Sequence, residues 1–251
     1  MNEPTAESRP RSRFDFSRLF AIILHPRQVF QSMASDALPT WLTPMLAWSL
    51  TTILVVILGG YMQIRAAQTG EVTLPPDWQY WSPDMQENFM QAQQTAQSPV
   101  LVYVLPLTGA LIGLWLGWLI LAGMLHLGST LLGGRGSMAS ALNIAAWAGV
   151  PFIVRDVLRA VFVLAAGHSI QSAGLSGFVA GVGMMSQLLA RVDLFFIWNF
   201  ILLVIGLQAA DNLPKGKAIA GVLIVLLILL LAQASMAALG ANLGTAIQGT
   251  V

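Results

Sequence analysis

The sequence predicts an all-α membrane protein, a polytopic bundle of about five transmembrane helices with an N-terminal amphipathic helix, and three observations lead there. Hydrophobic residues make up 56% of the 251-residue chain and charged residues only 9%, against about 25% in an ordinary soluble domain, so a water-facing surface cannot be assembled. The apolar residues are gathered into runs of about 20 or more, the length that crosses a hydrocarbon core. Lysine and arginine are distributed unevenly around those runs, in the pattern that sets orientation in a bilayer.

Residues 1–13 are polar, contain Pro4 and Pro10, and read as a disordered cytoplasmic leader. Residues 14–38 form an amphipathic juxtamembrane segment. Phe16, Leu19, Phe20 and Ile23 make one apolar stripe at helical period, which resumes after Pro26 with Val29, Phe30 and Met33. Proline suits the first turn of a second short helix. Two placements stay open: in the headgroup layer, with Arg13, Arg18 and Arg27 near anionic lipid, or packed on the ends of the spans.

A five-span domain is expected over 39–240, followed by a short tail over 241–251. The first span, 41–64, has Trp41 and Trp48 towards one interface and Tyr61 towards the other, where amphipathic rings settle. A polar stretch follows, in which Ser82-Pro83 with Asp84 and Glu87 marks the start of a short outer helix over 83–97. The second span covers 100–127 and ends in Gly133-Gly134-Arg135-Gly136-Ser137. That cluster lacks the lysine and the spacing of a phosphate loop and reads as a tight inter-helix turn. The third span, 138–166, should kink at Pro151, which removes one backbone hydrogen bond and crowds the preceding turn. Residues 167–186 are rich in glycine and serine and form a loop or a re-entrant stretch. The fourth span is placed at 188–210 and the fifth at 218–239.

With the N-terminus inside, the cytoplasmic segments hold Arg9, Arg11, Arg13, Arg18, Arg27, Arg135, Lys215 and Lys217. The first outer loop has Arg65 against Glu71, Asp77, Asp84 and Glu87. This positive-inside asymmetry puts the N-terminus in the cytoplasm and the C-terminus outside a cell membrane.

The intramembrane polar cluster of interest is Arg155, Asp156 and Arg159 in span three with Arg191 and Asp193 in span four. An arginine at mid-membrane costs roughly 2.5–3.5 kcal/mol on insertion scales, so these groups should pair or line a wet cavity. Arg155 and Arg159 share a helix face, and Asp193 is the expected partner. The cluster reads either as a polar pocket for an anionic ligand or a partner's helix, or as an ion-pair staple between spans three and four. Gly109, Gly113 and Gly117 at four-residue spacing leave a bare helix-packing face on span two, for an internal neighbour or a second protein. Asn143, Asn199 and Gln233 are expected as buried amides that glue spans together.

Catalytic signatures are missing. His25, His126 and His168 lie in separate segments without ligand spacing, and there is no cysteine nucleophile and no Gly-x-Ser-x-Gly elbow. No enzyme, metal or cofactor is expected. The basic residues are scattered without base-stacking aromatics, so no nucleic-acid partner is expected either.

His25-Pro26 followed by Phe30, the His126-to-Ser137 turn with its glycines, Pro151, Val192-Asp193-Leu194-Phe195, Ile197-Trp198 and Ile205-Gly206-Leu207 follow one another in an order that resembles the Yip1-domain family, prokaryotic branch. The likeness covers about residues 16–235. It implies a five-span domain with a cytoplasmic N-terminus. Eukaryotic members bind Rab GTPases in membrane trafficking, but their Asp-Leu-Tyr-Gly-Pro signature is absent here, so a Rab partner is not carried over. Some bacterial relatives accompany ABC-type exporters. The function expected is a non-enzymatic scaffold or accessory subunit whose partners are membrane lipids and other integral membrane proteins, self-association included. The alternative is a small transporter or channel for an anionic or polar solute that uses the kinked span three.

Overall fold

A computed structural model describes residues 14–34, 39–68, 75, 77–168, 170, 174–179 and 184–248, with side chains to Ala237. The expected leader over 1–13 lies outside them. Among the described residues the chain is helical, with no strand: α1 (Ser17–Leu24), α2 (Pro26–Ala34), α3 (Leu42–Gln68), α4 (Pro83–Ala96), α5 (Leu105–Leu131), α6 (Met138–Ala148), α7 (Val150–Ala166), α8 (Met184–Leu189), α9 (Leu194–Asp211) and α10 (Lys215–Gln248). Four stretches among the described residues are long and apolar enough to cross a membrane: Leu42–Gln68, Val100–Leu131, Leu194–Asp211 and Lys215–Ala237. The second includes a π-helical turn, Val100–Val104, that leads into α5. This is a multi-pass all-α membrane fold.

Several boundaries differ from those expected, for local reasons. The third expected span is two helices, α6 and α7, separated at Gly149. The fourth begins at Leu194 rather than near Leu188, because Asp193 adopts extended backbone and its carboxylate accepts the Phe196 N–H at 2.8 Å. Arg191 and Asp193 therefore precede this helix instead of lying within it. α10 continues as helix through the expected tail to Gln248, since Gly240 has no proline or capping partner behind it to stop the helix. The second short helix does start at Pro26, the chain leaving helical geometry at His25.

The chain divides into two compact units. One comprises 1–48, 117–152 and 172–251. Here α2 and α6 both pack against α9, α9 packs on α10, and α8 packs on α10. Its core holds Ile22, Phe30, Met45, Leu125, Trp147, Leu203 and Val222, each at most 2% exposed. Two close approaches need glycine. A Cβ at Gly206 would sit 2.6 Å from Ile144 Cγ2, and one at Gly149 would sit 2.6 Å from the Trp48 ring, which in turn stacks on Phe152 at 5.2 Å.

The other unit comprises 49–116 and 153–171. Trp115 donates through Nε1 to Ser49 Oγ at 3.2 Å, and the Tyr103 ring closes on Gly60, where a Cβ would meet its Cδ1 at 2.7 Å. Ser82 caps α4 by accepting the Met85 N–H. Trp78, Trp81 and Phe89 form a three-ring cluster with centroids 5.3–5.7 Å apart. Gln86 Nε2 fastens α4 to this cluster by donating to the Trp78 and Trp81 carbonyls.

Candidate functional site

The connection from α5 to α6 is built around a buried acid. Asp211, the last residue of α9, is 5% exposed, and Ser129 near the end of α5 is 3% exposed. The Ser129 hydroxyl donates to Asp211 Oδ2, a contact between residues 82 positions apart. Burying a carboxylate without partners costs several kcal/mol, so the surrounding backbone is shaped to enclose this pair. Gly133 takes φ +90°, and the Gly134 N–H donates back to the Ser129 carbonyl at 2.8 Å. A Cβ at Gly134 would overlap the Ser129 hydroxyl, and one at Gly136 would overlap the Asp211 carboxylate. The glycine cluster thus wraps a carboxylate of its own chain, the wrong group to sit beside a phosphate.

Two further bonds close this corner. Ser137 caps α6 by accepting the Ser140 N–H at 3.1 Å. Lys217 Nζ donates to the Leu132 carbonyl at 2.8 Å, placing an ammonium at the C-terminal end of α5, where the helix dipole favours positive charge. α9 ends on Asn212 in left-handed geometry at φ 53°. Neither Asp211 nor Ser129 stood out in the sequence. The signal that could have found them is the glycine spacing, which needed something in the fold to fill the space where side chains were absent.

The buried amides serve the break between α6 and α7. Pro151 has no N–H, and the Phe152 N–H bonds to the Gly149 carbonyl at 2.9 Å instead of reaching back to Ala148. Asn199 Nδ2 takes up the Ala148 carbonyl at 2.7 Å. Asn143 Oδ1 accepts the Thr40 N–H at 3.0 Å, and Trp147 Nε1 donates to Thr40 Oγ1 at 3.1 Å, which ties α6 to the approach of α3. Gln233, expected with them as a buried amide, is exposed, and its Oε1 accepts from Arg191 Nη1 at 2.8 Å. A cleft of about 220 Å³ between α2 and the start of α6 is lined by Phe30, Met33, Ser140, Asn143 and Ile144. That is below the roughly 300–1,000 Å³ of small-molecule pockets.

The remaining sequence candidates are described unit by unit. Arg155 Nε and Asp156 Oδ1 pair at 3.4 Å, with Asp156 only 8% exposed at its side chain, and Arg159 lies one turn further along α7 in the same unit. Arg191 bonds to Gln233 and Asp193 caps α9, both in the other unit. At Gly109, Gly113 and Gly117 a Cβ would meet no atom within 4 Å among the described residues. The close approaches are made at Gly60, Gly149, Gly206 and Gly221 instead.

A buried acid under a glycine turn, a proline-broken helix capped by an asparagine, and long lipid-length helices are the features on which the comparison with known proteins bears. The family model described as the Yip1 domain matches residues 20–236. The chain belongs to the Yip1-domain family. The match takes in every helix from α2 to α9, so the Ser129–Asp211 corner and the Asn199–Ala148 bond both lie within the Yip1 domain. No curated protein and no solved structure matches the chain.

Proposed function

We propose that this Yip1-domain protein is a non-enzymatic scaffold or accessory subunit that binds other integral membrane proteins within the bilayer, with α5 as its docking helix. The observation that carries this reading is the open face of α5. A Cβ at Gly109 or Gly113 would meet nothing within 4 Å among the described residues, and Leu105, Ile112 and Leu116 beside them are 54–56% exposed. A bare glycine face lets a second helix come close enough for backbone-to-backbone packing, the main source of helix affinity in lipid. Membership of a family of generally non-enzymatic membrane proteins points the same way.

The transporter reading would use the break at Pro151. That break is filled: Trp147, Ala148 and Pro151 are fully buried, Trp48 stacks on Phe152, and Asn199 satisfies the Ala148 carbonyl. A packed break supports a rigid scaffold more than a pathway. We further place the chain in a cell membrane with five crossings, α6 and α7 together forming the third, the N-terminus in the cytoplasm and the C-terminus outside. The lysine and arginine asymmetry supports this orientation.

The test is crosslinking in native membranes followed by identification of the proteins recovered with the wild type and with Gly113→Leu. A defined companion, or a second copy, should be recovered with the wild type and lost with the variant while its thermal unfolding stays unchanged. Equal recovery with both removes α5 as the docking helix.

A further inference from the structure

The two juxtamembrane helices share one amphipathic stripe in the sequence, yet the structure gives them different environments. In α2 the apolar residues Val29, Phe30 and Met33 are 2–7% exposed and face α9 and α6. In the α1 segment only Ile22 is buried, at 0%. Phe16, Phe20 and Leu24 are 61%, 76% and 73% exposed, and Ile23 is 36% exposed. At about 100° per residue, Phe16, Phe20, Ile23 and Leu24 fall on one side of the helix and Leu19 and Ile22 on another, towards the protein. α1 is therefore held by one edge and presents a second apolar face that, among the described residues, no other helix covers.

What covers that face follows from where α1 is fastened. The Asp15 N–H donates to Thr43 Oγ1 at 3.0 Å, and Thr43 is the second residue of α3, a helix of membrane-spanning length. The start of α1 is thus pinned at the end of a span, the level at which headgroups meet acyl chains. Asp15 also closes the N-terminal turn by accepting the Arg18 N–H and pairing with the Arg18 guanidinium at 2.9 Å, which ties the first turn of α1 to the residue bonded to α3. Acyl chains lie next to this level, and an exposed row of two phenylalanines, an isoleucine and a leucine gains by removing its apolar area from water into the acyl boundary.

We propose that α1 is an interfacial lipid anchor, inserted roughly 5–10 Å into the headgroup and acyl boundary of the membrane that α3 spans through Phe16, Phe20, Ile23 and Leu24, while α2 is a docked core helix. This goes beyond the scaffold reading and does not depend on α5.

The chain has no cysteine, so single cysteines are unique labelling sites. Phe16→Cys, Phe20→Cys and Leu24→Cys, with Gln28→Cys on the exposed side of α2 as the reference, would be spin-labelled in the full chain in phosphatidylglycerol–phosphatidylcholine nanodiscs. Accessibility to oxygen and to a water-soluble nickel chelate is then measured for variants that elute and unfold like the wild type. The expected result is an oxygen-to-nickel ratio several-fold higher at 16, 20 and 24 than at 28. High nickel accessibility at all three α1 sites would overturn the proposal by showing that the face meets water. Exclusion of both probes would overturn it in favour of a protein partner. Should Phe20→Cys fail to fold, Phe16→Cys and Leu24→Cys bracket it on the same face and decide the question alone.

Discussion

The side-chain amide of Asn199 donates to the main-chain carbonyl of Ala148 at 2.7 Å, the carbonyl that the helix break at Gly149 and Pro151 leaves without its usual i+4 donor. A proline in one span and an asparagine in the next are therefore parts of one structure. The helix interruption would expose a bare acceptor in the core, and the amide removes that penalty.

Replacing Asn199 with leucine should destabilise the protein by about 1–3 kcal/mol, the cost of leaving a buried acceptor unsatisfied. Thermal unfolding in detergent, followed by near-UV circular dichroism, measures it. A double-mutant cycle sharpens the assignment. In a Pro151→Ala background, where Phe152 can bond back to Ala148, the asparagine should matter less. Equal losses in both backgrounds would mean that Asn199 acts by packing alone.

The glycine turn makes a second expectation. Gly136→Ala places a methyl group against the Asp211 carboxylate and should cost about 1–3 kcal/mol, as overpacking of a closed site does. The same substitution made together with Asp211→Ala should cost less than the two single changes added, because the clash has gone. Strict additivity in chemical unfolding would show that the turn does not enclose that side chain.

Gly174 meets two constraints at once. Its φ of +54° is left-handed, and a Cβ would lie 2.7–2.8 Å from the carbonyl oxygens of Leu189, Ala190 and Val192. Gly174→Ala should lose about 1–2 kcal/mol from backbone conformation alone and more from the collision. Hydrogen exchange should localise the loss to residues 184–192, with the amides of α6 unchanged. Uniform exchange throughout the chain would argue against a local effect.

Among the helices, α3, α4 and α5 are of the kind that hydropathy and capping signals can mark, because each signal is a property of one continuous stretch of chain. Residue type also marked Pro151 and Asn199 as unusual. The sequence could not say that they serve each other. For the same reason the capping of α9 by Asp193 was not legible, since it is set by the backbone conformation of a junction.

By itself, the sequence determined that lipid is the solvent and roughly where the chain crosses it, since transfer free energy sums over neighbouring residues and needs no fold. Only the tertiary structure decided that Asp211 is enclosed by Ser129 and Gly136 and, among the described residues, that Gly109 and Gly113 stay open while Gly206 is filled and that α1 keeps an uncovered face where α2 does not. Those outcomes depend on which groups from distant parts of the chain are brought to van der Waals or hydrogen-bond distance. Hydrophobic periodicity marks that a face is apolar and leaves open what covers it.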